Sequence, residues 1–159
     1  MSRLFSFSLA ASAVLTIATS AIADGHSSEA LMKATDARHA QMQMIGYHTG
    51  ILGSMAKGTT PYDADIAKAA ADNLAAAASM NRITLWLEGS EQGTIEGSRA
   101  KAEIWSDPEG FEGKAIALET TSLSMALAAG TGLEALQGAM GGVGESCGAC
   151  HKAYRGPKN

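Results

Sequence analysis

The sequence predicts an all-α fold, an antiparallel four-helix bundle. Four segments place apolar residues at helical steps of three and four, and no stretch alternates β-branched with polar residues over a strand's length. The joins between segments one and two, and between three and four, are short strings such as Lys57-Gly58-Thr59-Thr60-Pro61 and Gly130-Thr131-Gly132. Short joins make antiparallel neighbours.

The N-terminal stretch stands apart from that pattern. Arg3 precedes an apolar run from Leu4 to Ile22, and Ala21-Ile22-Ala23 fits a small-x-small cleavage site, so residues 1–23 read as an exported signal peptide. The six hydroxyl residues in the run make a poor lipid-facing helix, so stable membrane insertion after cleavage is not expected. The expected domain is residues 24–159. Losing Arg3 leaves 11 basic and 16 acidic side chains, a formal charge of −5, with no basic run. Such a chain is a poor ligand for nucleic acid.

The first helix is expected over about Ser28 to Met55, with Leu31, Thr35, Met42, Ile45, Thr49 and Leu52 at helical steps. Thr60 before Pro61 marks the second start, Asp63 and Asp65 suit the positive end of a helix dipole, and the Ala-rich run Ile66 to Leu87 has high helix propensity. Residues 88–100, rich in Gly, Ser and Glu, read as a loop. Ser106-Asp107-Pro108-Glu109 starts a third helix to about Ala129, and the fourth runs from about Leu133 to Arg155. Gly138, Gly141, Gly142, Gly144 and Gly148 each cost that last helix roughly 1 kcal/mol relative to alanine. A large group lying against the helix would compensate by burial.

Near its end the fourth helix carries "GESCGACHKAYR", with Cys147, Cys150 and His151 in a C-x-x-C-H array. At 100° per residue Cys150 lies about 60° from Cys147 on one side and His151 about 40° on the other, so all three leave one face within a turn. Two thiols so placed can add to the vinyl groups of a haem while the imidazole reaches the iron, the c-type attachment pattern. With two cysteines and four histidines in the chain, random placement gives this array on the order of once in three thousand shuffles. A zinc site would need a further ligand pair, a dithiol redox pair would normally open a helix after a strand, and a disulfide across two residues closes too small a loop to stabilise much.

With the motif on the last helix of a bundle, the sequence resembles the class II c-type cytochromes, the cytochrome c-prime family. "VGESCGACHKAYR" looks like that family's haem helix, "KGTTPYDADIAKAA" and "EIWSDPEGF" like the starts of its second and third helices, and "DARHAQM" like the haem-facing part of its first. The resemblance implies one covalently attached haem c on Cys147 and Cys150, with His151 as the proximal iron ligand. It also implies Arg155 beside the proximal site, Arg38 near the haem propionates and Met42 at the distal face. Arg155 follows His151 by four, so helix geometry alone places both on one face.

Family members divide at the distal position: some carry a residue that only blocks the iron and leave a five-coordinate haem open to small gases, whereas in low-spin relatives a methionine ligates it. A thioether is a good haem ligand, and with histidine opposite gives an electron-transfer arrangement, so the expected function is that of a periplasmic one-electron carrier. The alternative is a five-coordinate protein binding nitric oxide or carbon monoxide. A peroxidase-type enzyme would need an acid–base group that only His39 could supply on the first helix, and no catalytic constellation accompanies the haem motif. Met44 points about 160° from Met42, Met140 shares a helix with His151, and Met125 is a further methionine on the third helix. Gly46, Gly50 and Gly53 continue the Met42 stripe and are expected to admit close helix packing. Expected partners are periplasmic redox proteins and a second copy, through the first two helices.

Overall fold

In a computed structural model, described over residues 25–158, four long helices form the bundle: α1 (Ser28–Ala56), α2 (Ala64–Ala78), α4 (Pro108–Ala128) and α5 (Leu133–Tyr154), with a single-turn α3 (Glu103–Ser106) before α4. Among the described residues there is no strand, only isolated bridges at Gln92–Ile95 and Ala100–Arg155. The signal-peptide reading of residues 1–23 lies outside the described residues, and no described helix is long and apolar enough to cross a membrane. In the bundle α1 packs on α2 and α5, and α4 on α2 and α5.

Caps define the helix starts. Ser27 accepts from the Ala30 N–H at 3.2 Å and Asp107 from the Gly110 N–H at 3.1 Å. The second start lies three residues later than Thr60-Pro61 suggests, because Asp63 takes the capping role and accepts from the Ile66 N–H at 2.9 Å. The larger difference is at the end of α2, which stops at Ala78 rather than Leu87. Asn81 Oδ1 takes the Ile83 N–H at 2.9 Å, so a local turn replaces the helical ladder despite the high propensity upstream. Arg82 is then drawn across to α4, bonding Glu112 and, at 2.6 Å, Glu119. That guanidinium holds the Glu112 carboxyl below its ordinary value.

The main core lies between α1, α2, α4 and α5, around Ile45, Leu52, Leu74, Met125, Leu136 and Val143. Ala67, Ala70, Ala71 and Ala75 let α2 approach closely, and Tyr62 ties the start of α2 to the end of α4 by donating to the Ala129 carbonyl at 2.9 Å. A second cluster, with Ala100, Ile104, Phe111 and Tyr154, forms under the long irregular segment that ends at α3. Trp86, Phe111 and Tyr154 stack edge to face there, with ring centroids 4.8 and 5.4 Å apart. Tyr154 donates to Asp107 Oδ2 at 2.7 Å directly over Gly110, where a Cβ would collide with both side chains. The C-terminal tail is pinned by the Gly156 N–H donating to the Arg99 carbonyl at 2.7 Å.

Candidate haem site

Between the first and last helices and the loop before α3 lies a cavity of about 1080 Å³, at the upper end of the range for small-molecule and cofactor sites. Arg38, Met42, Cys147, Cys150, His151 and Arg155 all line it, so the structure brings together every candidate drawn from the sequence.

Cys147, Cys150 and His151 leave the C-terminal turns of α5 into the cavity. Both cysteines are free thiols, and burial pushes both above the ordinary thiol value. Neutral, partly buried thiols late in a helix are the reverse of the activated thiolate that dithiol chemistry requires. Burial, then Arg155 and Arg99, press the His151 imidazole below its usual value, leaving a ring nitrogen free for a metal. Among the described residues no three His, Cys, Asp or Glu side chains are grouped so as to hold a metal ion, so the further ligand pair that a zinc site needs is not assembled there.

The facing wall is α1. Met42, 37% exposed, lines the cavity, whereas Met44 is 51% exposed and outside it. Met125 is fully buried in the main core and does not reach the cavity; Met140 lines it from α5 and packs toward Gly53. Close helix packing therefore describes Gly53 alone. At Gly46 and Gly50 an added Cβ would meet nothing within 4 Å, and both residues face the cavity instead. Gly144 and Gly148 on α5 also have open space where a Cβ would stand, but they are exposed to solvent and do not line the cavity, so the glycines that face it are those of α1 and the expectation that a large group covers the α5 glycines is not met.

Arg38 is the most buried charge in the site, 3% exposed. Its guanidinium donates to the Leu85 carbonyl at 3.0 Å, Ser90 Oγ at 2.6 Å, Thr35 Oγ1 at 2.9 Å and the Ser90 carbonyl at 3.1 Å, and lies 4.8 Å from the centre of the Trp86 ring. No carboxylate pairs with it among the described residues, and burial lowers it to about 10. Arg38 thus also closes the irregular segment onto α1. Replacing it with methionine is expected to leave these carbonyls and hydroxyls without their donor, at a cost of about 3 kcal/mol or more, read as a lower urea midpoint. Arg38→Lys is expected to recover only part of it, since an ammonium cannot reproduce the planar fork.

Sequence reasoning missed the rest of the lining. Trp86, Phe111 and Tyr154 form one wall, and Arg99 and Lys114 reach the cavity from the loop and α4. His39 sits exposed on the cavity wall beside Gly97.

The fit to a haem is thus specific. The cavity offers two thiols and an imidazole on one face, an α1 wall cleared at Gly46 and Gly50, and a buried cation lacking a counter-ion among the described residues. A family described as cytochrome C' matches residues 33–155. Cytochrome c-554 of Cereibacter sphaeroides is 45% identical over 120 residues, covering 76% of this chain and 90% of that one. A solved structure of cytochrome c' from Rhodobacter Spheriodes superimposes with a TM-score of 0.78 at 34% identity, over 80% of this chain and 98% of the other. A nitric oxide complex of a cytochrome c prime variant from Alcaligenes xylosoxidans superimposes with a TM-score of 0.71 at 33% identity, over 80% and 97%. The chain therefore belongs to the cytochrome c' family and carries one covalently attached haem c.

Proposed function

We propose that this is a periplasmic monohaem cytochrome whose haem lies between α1 and α5, held by Cys147 and Cys150, with His151 as proximal ligand. When bound, the haem iron supplies one-electron redox chemistry and, where its sixth position is free, uptake of a small gas. The chain determines which of these dominates. Arg38, buried without a carboxylate, suits a propionate, and Arg155 sits close enough to His151 to act on its charge.

At the distal face the better supported reading is that Met42 covers the haem without ligating it, leaving a site open to nitric oxide or carbon monoxide. One observation carries it: over four-fifths of its length this chain superimposes on a relative solved as a nitric oxide complex. Along the distal wall Arg38 and His39 stand one turn before Met42 and Gly46 one turn after it, all lining the cavity.

The second reading, a one-electron carrier ligated by His151 and Met42, is favoured by a separate observation. Met42 is the cavity-lining methionine on the wall opposite α5, while Met44 points outward and Met125 lies in the core. Absorption spectra of the holoprotein, oxidised and reduced, with and without carbon monoxide, distinguish the two. The first reading expects a broad high-spin spectrum that changes on adding the gas. Sharp low-spin bands indifferent to it would overturn that reading in favour of the carrier.

A further inference from the structure

Charge is segregated around the cavity in a way that haem binding does not explain. The chain holds 16 acidic and 12 basic side chains, yet among the described residues no Asp or Glu lines the cavity, whereas Arg38, Lys57, Arg82, Arg99, Lys114 and Arg155 do. Of these only Arg82 is in an ion pair among the described residues; Lys33 and Lys68, which do not line the cavity, are paired with Glu29 and Asp72. The unpaired cations come from separate elements, Lys57 at the end of α1, Arg99 in the loop, Lys114 on α4 and Arg155 at the end of α5. Lys57, Lys114 and Arg155 are exposed.

The two propionates of a haem could neutralise two of these charges, and Arg38 is already placed for one. A positive rim survives on a protein that is negative overall. Fixed charge of one sign around a cleft focuses the field and guides an oppositely charged partner to it. The exposed cations do not converge on a built pocket as they would for one small anion. They are spread on flexible stems around an opening, a pattern suited to a broad acidic face.

We propose that the rim of the haem cavity is the docking surface for an acidic protein electron-transfer partner, with Lys57, Lys114 and Arg155 as its principal contacts. The inference rests on the haem occupying this cavity. Docking there brings the partner to the haem edge, and one electron passes between the two centres with no bond made or broken. Charge complementarity of this kind governs association rate and salt dependence more than final affinity.

The test uses the holoprotein, with its haem content first confirmed by mass and absorption so that failure of attachment is read separately. Its reduced form is oxidised in stopped flow by an acidic blue-copper protein and, separately, by hexacyanoferrate(III). The second-order rate with the copper protein is expected to fall about tenfold or more from low to physiological salt. Lys57→Glu/Lys114→Glu is expected to slow that reaction about tenfold at low salt, whereas Lys33→Glu/Lys68→Glu, with the same change in net charge, stays within about twofold of wild type. Titration with the redox-inactive cadmium form of the copper protein is expected to shift amide resonances around residues 57, 114 and 155 in the wild type and not in the rim variant. Equal rates for the two double variants, or a rim effect on hexacyanoferrate but not on the copper protein, would overturn the proposal, the latter by assigning the rim to small anions.

Discussion

Cys147→Ala/Cys150→Ala is expected to yield a chain with no covalent haem and no cooperative thermal transition. Intact mass should show the polypeptide alone, and circular dichroism should show a broad melt with reduced helix content. The effect follows from the cavity: without the haem, apolar lining such as Ile45, Phe111, Leu118 and Met140 is left to water across a space of about 1080 Å³, and apolar burial is the main favourable term in a fold whose total stability is typically about 5–15 kcal/mol. The α5 helix carrying the haem site has little propensity in reserve, since Gly138, Gly141, Gly144 and Gly148 are exposed to solvent and have no neighbour within 4 Å of where a Cβ would stand. Without the haem, α1 and α5 should collapse toward each other or fray. A double variant that melts at the wild-type temperature would mean the bundle is complete without its cofactor.

The parts legible in the sequence were those written in local chemistry. Asp107 followed by Pro108 fixed the start of α4, and the C-x-x-C-H array placed three side chains on one face of α5, where the structure has them. The illegible parts depend on contacts far apart in the chain. The alanine run gave no sign that α2 ends at Ala78, because the end is set by the Asn81 turn and by Arg82 reaching α4, 30 and 37 residues away. Arg38 could be placed near a propionate by resemblance alone, yet its network with Leu85, Ser90 and Ser98 belongs to a segment whose path no periodicity describes. His48 is a further case: it falls on the buried side of α1 with neither ring nitrogen hydrogen-bonded among the described residues, an arrangement that sequence spacing would assign to an apolar residue. The basic rim was equally hidden. Lys57, Arg99, Lys114 and Arg155 are dispersed over about a hundred residues in a chain without a basic run, and only the fold assembles them.

The distal methionine is where substitution separates the two functional readings most sharply. If Met42 only covers the haem, Met42→Leu keeps an apolar side chain of similar volume, and the high-spin spectrum and gas response should both persist. Met42→Ala should then admit carbon monoxide about tenfold faster or more, because removing a side chain that must swing aside lowers a steric barrier by about 1.4 kcal/mol for each factor of ten. If instead the Met42 sulfur holds the iron, the same Met42→Leu change removes the only methionine on that wall and should convert a low-spin spectrum to a high-spin, gas-sensitive one. Leucine thus leaves the spectrum unchanged under one reading and transforms it under the other. Met44→Leu serves as the control in both cases, since Met44 is on the outer side of α1 and does not line the cavity. The glycines beside Met42 sharpen the contrast. With no side chain at Gly46, one turn after Met42, the C-terminal side of the thioether is left unconfined by α1. Gly46→Ala, by narrowing that freedom, should slow carbon monoxide uptake under either reading while leaving covalent haem content unchanged, whereas Gly50→Ala, two turns from Met42, should have a smaller effect.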